Sequence, residues 1–229
     1  MKTIGLIGGM SWESSAEYYR IINRDVQRRL GGVHSARSLM LSVDFGDIEK
    51  LQHAGDWDAL TAEMVAAAQS LERGGADFIV LCTNTMHRMA GAMEAGVAIP
   101  LLHIVDPTAE ALKGAGVQKV GLLGTAFTME QDFYKGRLAG HGFEVLIPEA
   151  EDRAAVHRII YEELVCGEIR EPSRAAYRAV IARLVSAGAE AIILGCTEIM
   201  LLVRAEDSAV PLFDTTTLHA MAAVDRALA

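Results

Sequence analysis

The chain has 229 residues, 51% of them apolar, a formal net charge of −9 and three widely spaced cysteines. That apolar content supports one large or two small domains with real cores. The acidic balance, with no basic cluster longer than Arg28-Arg29, argues against a nucleic-acid groove or an anionic membrane surface and favours a small-molecule partner. An odd number of scattered cysteines makes neither a disulfide framework nor a structural zinc site, so no metal is expected and the thiols read as reduced, in a cytoplasmic setting.

In chain order, Ile4–Ile7 reads as a short buried strand, Gly8-Gly9-Met10-Ser11 as a turn, and Ser11 or Ser14 as the cap of a helix running to about Leu30. The apolar run Ile4–Ile7 is too short for a secretory leader. The spacing Gly5-x-x-Gly8-Gly9 is neither a dinucleotide fingerprint nor a phosphate loop; the turn amides are suited instead to a carboxylate. Ser38–Phe45 alternates as a second strand, Trp57–Arg73 has helical spacing, and Phe78–Leu81 is a strand ending in the polar loop Cys82-Thr83-Asn84-Thr85-Met86-His87. A helix near Arg88–Ala95, a strand Pro100–Val105 and a helix Pro107–Lys113 follow.

The pattern then restarts. Val120-Gly121-Leu122-Leu123-Gly124 repeats Ile4-Gly5-Leu6-Ile7-Gly8, with Thr125 and Thr128 where the first half has its glycine turn. Phe143–Ile147 is expected as a strand, and Ala154–Leu164 and Arg174–Ala187 as helices. Ala191–Leu194 is the strand before Gly195-Cys196-Thr197-Glu198, Pro211–Asp214 another, and Thr217–Leu228 a closing helix. The implied architecture is α/β: two similar doubly wound parallel-sheet domains related by a pseudo-twofold axis, with an active site in the cleft between them. The expected boundaries are 1–98 plus 210–229 for the N-terminal domain and 99–209 for the C-terminal one.

Gly75-Ala76-Asp77 aligns without a gap with Gly188-Ala189-Glu190, so Leu81 matches Leu194, Cys82 matches Gly195 and Thr83 matches Cys196. Neighbouring residues of an extended chain point to opposite sides. Cys82 is therefore expected to face away, and Thr83 to be the counterpart of Cys196. Cys166 reads as core filler on the helix before it.

Both polar loops follow buried parallel strands, where α/β sheets bind their ligands. One proton-transferring group from each half suits inversion at a carbon centre, with Cys196 and Thr83 in that role. Ser11, Asn84, Thr85, Thr125, Thr128 and Thr197 supply hydrogen bonds for a substrate carboxylate. Cys196 opens an apparent helix start, a location that lowers a thiol pKa. Glu198 can cap that helix, orient a ligand amine or tune Cys196, and the residues leave the three open. His87 can activate Thr83, or be a structural hydrogen-bonder.

The runs Ile4–Ser11, Thr83–His87 and Gly195–Glu198 together make the chain resemble the cofactor-independent aspartate/glutamate racemase superfamily. Met129–Tyr134 extends the likeness to the bacterial broad-specificity amino-acid racemases. The resemblance implies a cytoplasmic homodimeric isomerase without cofactor that interconverts L- and D-amino acids, with Met10 and Ser11 among the substrate contacts and Gln52 as a side-chain contact. Typical members carry two opposed cysteines, and this chain has Thr83 in place of the first. Where many aspartate racemases of the superfamily have a lysine contacting the side-chain carboxylate, this chain has Val165. The loss of one cysteine leaves two alternatives open: a decarboxylase or cis-trans isomerase of a dicarboxylic acid, or a non-catalytic amino-acid-binding protein.

Overall fold

The computed structural model describes all 229 residues. They fall into two compact units, one of residues 1–104 with 219–229 and one of residues 105–218.

The first unit begins with β1 (Ile4–Gly8) and α1 (Trp12–Leu30), continues through β2 (Ser38–Ser42), α2 (Phe45–Ala54), α3 (Trp57–Arg73) and β3 (Phe78–Leu81), and ends with a 3-10 turn (Thr85–Met89), α4 (Ala90–Gly96) and β4 (Leu101–Leu102). All its strand pairs are parallel, in the order β2-β1-β3-β4. Side-chain alternation sorts each strand onto two faces. Ile4, Leu6, Phe78, Val80 and Cys82 pack on α1 and the C-terminal helix, whereas Ile7, Ile79 and Leu81 pack on α2, α3 and α4. Helix α3 shows how spacing becomes burial: Leu60, Met64, Ala67, Ala68 and Leu71 form one buried stripe. Full burial of a Leu or Met contributes roughly 1.5–3 kcal/mol.

The second unit contains α5 (Val105–Gly114), β5 (Lys119–Gly124), α6 (Ala126–Glu130), α7 (Asp132–Gly140), β6 (Glu144–Leu146), α8 (Ala150–Glu162), α9 (Glu171–Ser186), β7 (Ala191–Gly195), α10 (Ile199–Leu202) and β8 (Leu212–Asp214). Helix α11 (Thr215–Leu228) starts here and passes into the first unit at His219. The second sheet repeats the first, parallel throughout, in the order β6-β5-β7-β8. The registers match as well: Ile7 lies opposite Leu81, and their repeat partners Leu123 and Leu194 lie opposite each other. The duplication read from sequence is thus present in the backbone, and the two-domain parallel α/β class holds.

Several expectations need correction. The unit boundaries fall after Ile104 and Leu218 and not at 98/99 and 209/210. Strand β4 pairs with β3 and β8 with β7, and a strand stays with the sheet that satisfies its hydrogen bonds. The strand expected to Phe45 stops at Ser42, because Asp44 accepts the Gly46 N–H at 2.9 Å and caps the unforeseen helix α2. The strand expected over Pro100–Val105 keeps only Leu101 and Leu102. Helix α5 already begins at Val105, with Pro107 in its first turn, where no intrahelical donor is needed. Cys166 is exposed: α8 ends at Glu162, a 3-10 turn carries Leu164–Cys166, and left-handed Gly167 closes it, so helical phase cannot be extrapolated to Cys166.

Candidate active site

In the first unit, the chain leaves β1 through Gly9, whose φ of 97° and near approach to Val43 admit no side chain: a Cβ would sit 2.2 Å from the Val43 carbonyl. Ser11 then caps α1 and receives hydrogen bonds at its carbonyl from the Ser14 and Ser15 hydroxyls, at 3.1 and 2.8 Å. The Ser15 hydroxyl oxygen also accepts the Gly9 N–H at 2.8 Å. Beside this turn, the Cys82 N–H bonds the Ile7 carbonyl at 2.9 Å, setting the start of the Thr83 loop against the end of β1. Thr83, Asn84, Thr85 and His87 are all buried. Gln52, on α2, donates to Met86 Sδ at 3.3 Å, and Met10 belongs to the same apolar cluster as Met86. The sequence-derived set of this half, Met10, Ser11, Gln52, Thr83, Asn84 and Thr85, therefore gathers at the carboxyl ends of β1 and β3. Cys82 lies on the opposite face, wholly buried, with burial pushing its thiol pKa up.

In the second unit, Thr125 caps α6, its hydroxyl accepting the Thr128 N–H at 3.3 Å and lying 3.3 Å from the Thr128 hydroxyl. Strands β5 and β7 approach so closely that a Cβ on Gly195 would sit 2.8 Å from the Leu123 carbonyl and 3.6 Å from Thr128 Cγ2. Thr128 and the Cys196 loop are thereby neighbours. The Cys196 thiol donates to Glu198 Oε2 at 2.9 Å, and the Thr197 hydroxyl donates to the same oxygen at 3.0 Å. All three side chains are buried.

This arrangement narrows one open question and overturns one expectation. Glu198 makes no side-chain cap hydrogen bond, and its carboxylate accepts from the Cys196 thiol. The thiol pKa is well above the ordinary thiol range and not below it, first because of burial and then because of the Glu198 charge and hydrogen bond. The Thr197 and Glu198 amides oppose that rise. Helix α10, a single turn, offers too little dipole to reverse it.

Several supporting residues escaped the sequence reading. His157 Nδ1 accepts the Ala126 N–H at 3.1 Å, completing the α6 start. Thr215 donates to the Leu194 carbonyl at 2.8 Å and Thr216 to the Thr197 carbonyl at 3.3 Å, holding the Cys196 loop from behind. Tyr177 lies fully buried in the cluster that contains Cys196, its hydroxyl oxygen without a hydrogen-bond partner. The Thr215-Thr216-Thr217 run after a strand was the one signal available for the two threonines. Nothing in the local sequence marks His157 or Tyr177.

The chain is similar to known proteins over most of its length. Residues 7–223 match the family model described as Asp/Glu/Hydantoin racemase. Over 178 residues the chain is 28% identical to the broad specificity amino-acid racemase RacX of Bacillus subtilis (strain 168), covering 76% of this chain and 75% of that one. Among solved structures, a Yersinia pestis protein provisionally described as an Asp/Glu racemase matches with a TM-score of 0.92 and 56% identity, covering 100% of both chains. The aspartate racemase homologue PH1733 of Pyrococcus horikoshii OT3 matches with a TM-score of 0.84 and 33% identity, again over 100% of both. With a parallel fold duplicated in register and a thiol and a hydroxyl at equivalent strand ends, the chain belongs to the Asp/Glu/hydantoin racemase family, and with it to the isomerases.

Proposed function

We propose that the protein is a cofactor-independent amino-acid racemase in which Cys196 and Thr83 serve opposite faces of the substrate α-carbon. The observation that carries the reading is the Cys196–Glu198 pair, a buried thiol donating to a carboxylate at 2.9 Å, at the position equivalent to Thr83 in a fold repeated in register. In the free enzyme the thiol keeps its proton, since burial and the nearby negative charge both oppose a thiolate. A substrate ammonium beside the pair adds positive charge, favours the thiolate and lets the thiol proton pass to Glu198. The thiolate then takes the α-proton from one enantiomer, leaving a carbanion whose charge is spread into the substrate carboxylate. The Thr83 hydroxyl, or a water it holds, delivers a proton to the opposite face and is reprotonated by solvent, while Glu198 gives up to solvent the proton it took from the thiol. Ser11, Asn84, Thr85, Thr125, Thr128 and Thr197, with the turn amides, hold the carboxylate and stabilise the developing charge. Met10 and Gln52 line the side-chain end.

The substrate is an amino acid of the aspartate/glutamate type. Non-acidic amino acids belong in the same test, because Val165 replaces the lysine that superfamily aspartate racemases use for a side-chain carboxylate. Thr83 is a weaker acid and base than a thiol, so the asymmetry resides in proton exchange. It does not produce one-way turnover: enantiomers have equal free energies, and the two kcat/KM values must match. The same reading expects a cytoplasmic homodimer, and sedimentation of the purified protein checks the dimer.

The experiment is incubation with single L- and D-amino acids in D2O, following α-deuterium by NMR and enantiomer ratio by chiral chromatography. Exchange with inversion, lost in Cys196→Ser, is expected. Thr83→Val should reduce inversion and Thr83→Cys raise it. Exchange without inversion would remove Thr83 from the mechanism, and release of CO2 or an alkene isomer would replace the racemase with a different carbanion enzyme.

A further inference from the structure

We propose that His87 is a positioning residue: a neutral imidazole, protonated on Nδ1, that holds the Thr83 main-chain carbonyl and at the same time accepts the Ile104 main-chain N–H. Its catalytic consequence rests on the racemase reading above; the hydrogen-bond bridge does not.

The tautomer follows from the two partners. His87 Nδ1 lies 2.7 Å from the Thr83 carbonyl oxygen, and Nε2 lies 3.1 Å from the Ile104 nitrogen. A carbonyl oxygen only accepts and a main-chain N–H only donates, so Nδ1 carries the proton and Nε2 presents its lone pair. The ring then has no lone pair left for the Thr83 hydroxyl. His87 is therefore excluded as the base that activates Thr83 and acts on the backbone of the loop instead.

The bridge joins two consequential places. Thr83 opens the polar loop after β3, and Ile104 is the last residue before the chain leaves the first unit. A second histidine grips the same exit segment. His219 Nε2 donates to the Leu102 carbonyl at 2.8 Å, which leaves Nδ1 to accept the Tyr18 hydroxyl proton at 2.9 Å. His103 sits between the two gripped residues, its ring centroid 4.5 Å from that of His87, and the His219 centroid is 5.8 Å from that of His87. All three rings are buried, where an unpaired polar atom is costly and a satisfied arrangement is correspondingly stiff. An imidazole is suited to the task because one rigid ring directs a donor and an acceptor to different parts of the backbone. Asparagine can replace only the Nδ1 donor, and glutamine can reach only the Nε2 position.

That difference supplies the test. His87→Ala, His87→Asn and His87→Gln are compared for amide hydrogen exchange at Ile104, kcat, KM and melting temperature. Ile104 protection is expected to survive in His87→Gln and to be lost in the other two. In His87→Ala, kcat should fall tenfold or more while KM changes less, and α-deuterium exchange of the enantiomer deprotonated by Cys196 should outlast inversion. His87→Asn should recover most of the rate without recovering Ile104 protection; His87→Gln should do the reverse. Unchanged Ile104 protection in His87→Ala, or in His87→Asn if the alanine variant does not fold, overturns the bridge irrespective of activity. Equal rates in His87→Asn and His87→Gln overturn the positioning role. If the unaltered protein exchanges no amino acid, the racemase reading and the positioning role fail together, and the Ile104 protection still decides the bridge.

Discussion

The behaviour of Cys196 turns on one carboxylate oxygen. Glu198 Oε2 receives both the thiol and the Thr197 hydroxyl, and its charge adds to burial in raising the thiol pKa. Glu198→Gln removes the charge and leaves the burial, so the thiol pKa should fall toward the ordinary range without reaching it. Site-resolved alkylation by iodoacetamide, read by mass spectrometry of the Cys196 peptide, should move to lower pH in the variant, while the exposed Cys166 provides an unchanged internal reference. Turnover should fall at least tenfold, because the thiol proton then lacks its acceptor. A Cys196 profile that stays put would mean that burial alone sets the pKa. Sequence named Cys196 and Glu198 as neighbours in a motif; the direction of the pKa shift was decided by burial, which a motif does not encode.

At the scale of elements, the site depends on how closely two strands meet. Gly195 ends β7 beside β5, where a Cβ would lie 2.8 Å from both the Leu123 carbonyl and Leu122 Cδ1. Backbone cannot yield as a flexible side-chain tip can, so Gly195→Ala should separate the strand ends and displace the next residue, Cys196. Overpacking of this kind costs roughly 1–3 kcal/mol. Urea denaturation should report that loss, accompanied by a fall in kcat at nearly unchanged KM. Strand and helix centres were legible from sequence because periodicity is strong there: Trp57–Arg73 and Phe78–Leu81 agree with α3 and β3 to the residue. Ends were less legible. Leu39, Leu41, Val43 and Phe45 continue one alternation across a strand, a cap and a helix start, and hydrophobic alternation alone does not register the Asp44 cap that divides them.

For the whole molecule, burial gives a shared alkaline weakness. Cys82, Cys196, Tyr134 and Tyr177 all have pKa values raised first by burial. In the unfolded chain, thiols ionise near 8.5 and phenols near 10. Above those values the unfolded state has lost protons that the folded state keeps, so stability is fully present below about pH 8 and declines as pH rises. Each group contributes a slope of up to about 1.4 kcal/mol per pH unit once its unfolded form has ionised. Urea titrations at pH 8, 9 and 10 should show the unfolding midpoint dropping with increasing steepness, and Cys82→Ala should lessen the slope between pH 8 and 9. No helix of the molecule is long and apolar enough to cross a membrane, and three clusters of buried apolar side chains line the two sheets.

The sequence by itself determined the duplication, the parallel sheets and the equivalence of Thr83 with Cys196, because strand alternation and a gap-free internal repeat are local properties of the chain. It also identified the family, whose motifs are short and contiguous. Tertiary structure alone decided that the Cys196 thiol is buried against the Glu198 carboxylate, that His87 lies between the Thr83 and Ile104 backbone, and that the units divide after Ile104 and Leu218. Each of those depends on which groups meet across the fold and how much water they lose there. Hydrogen-bond partners as distant in sequence as Leu102 and His219 are set by packing, and no reading of neighbouring residues contains them.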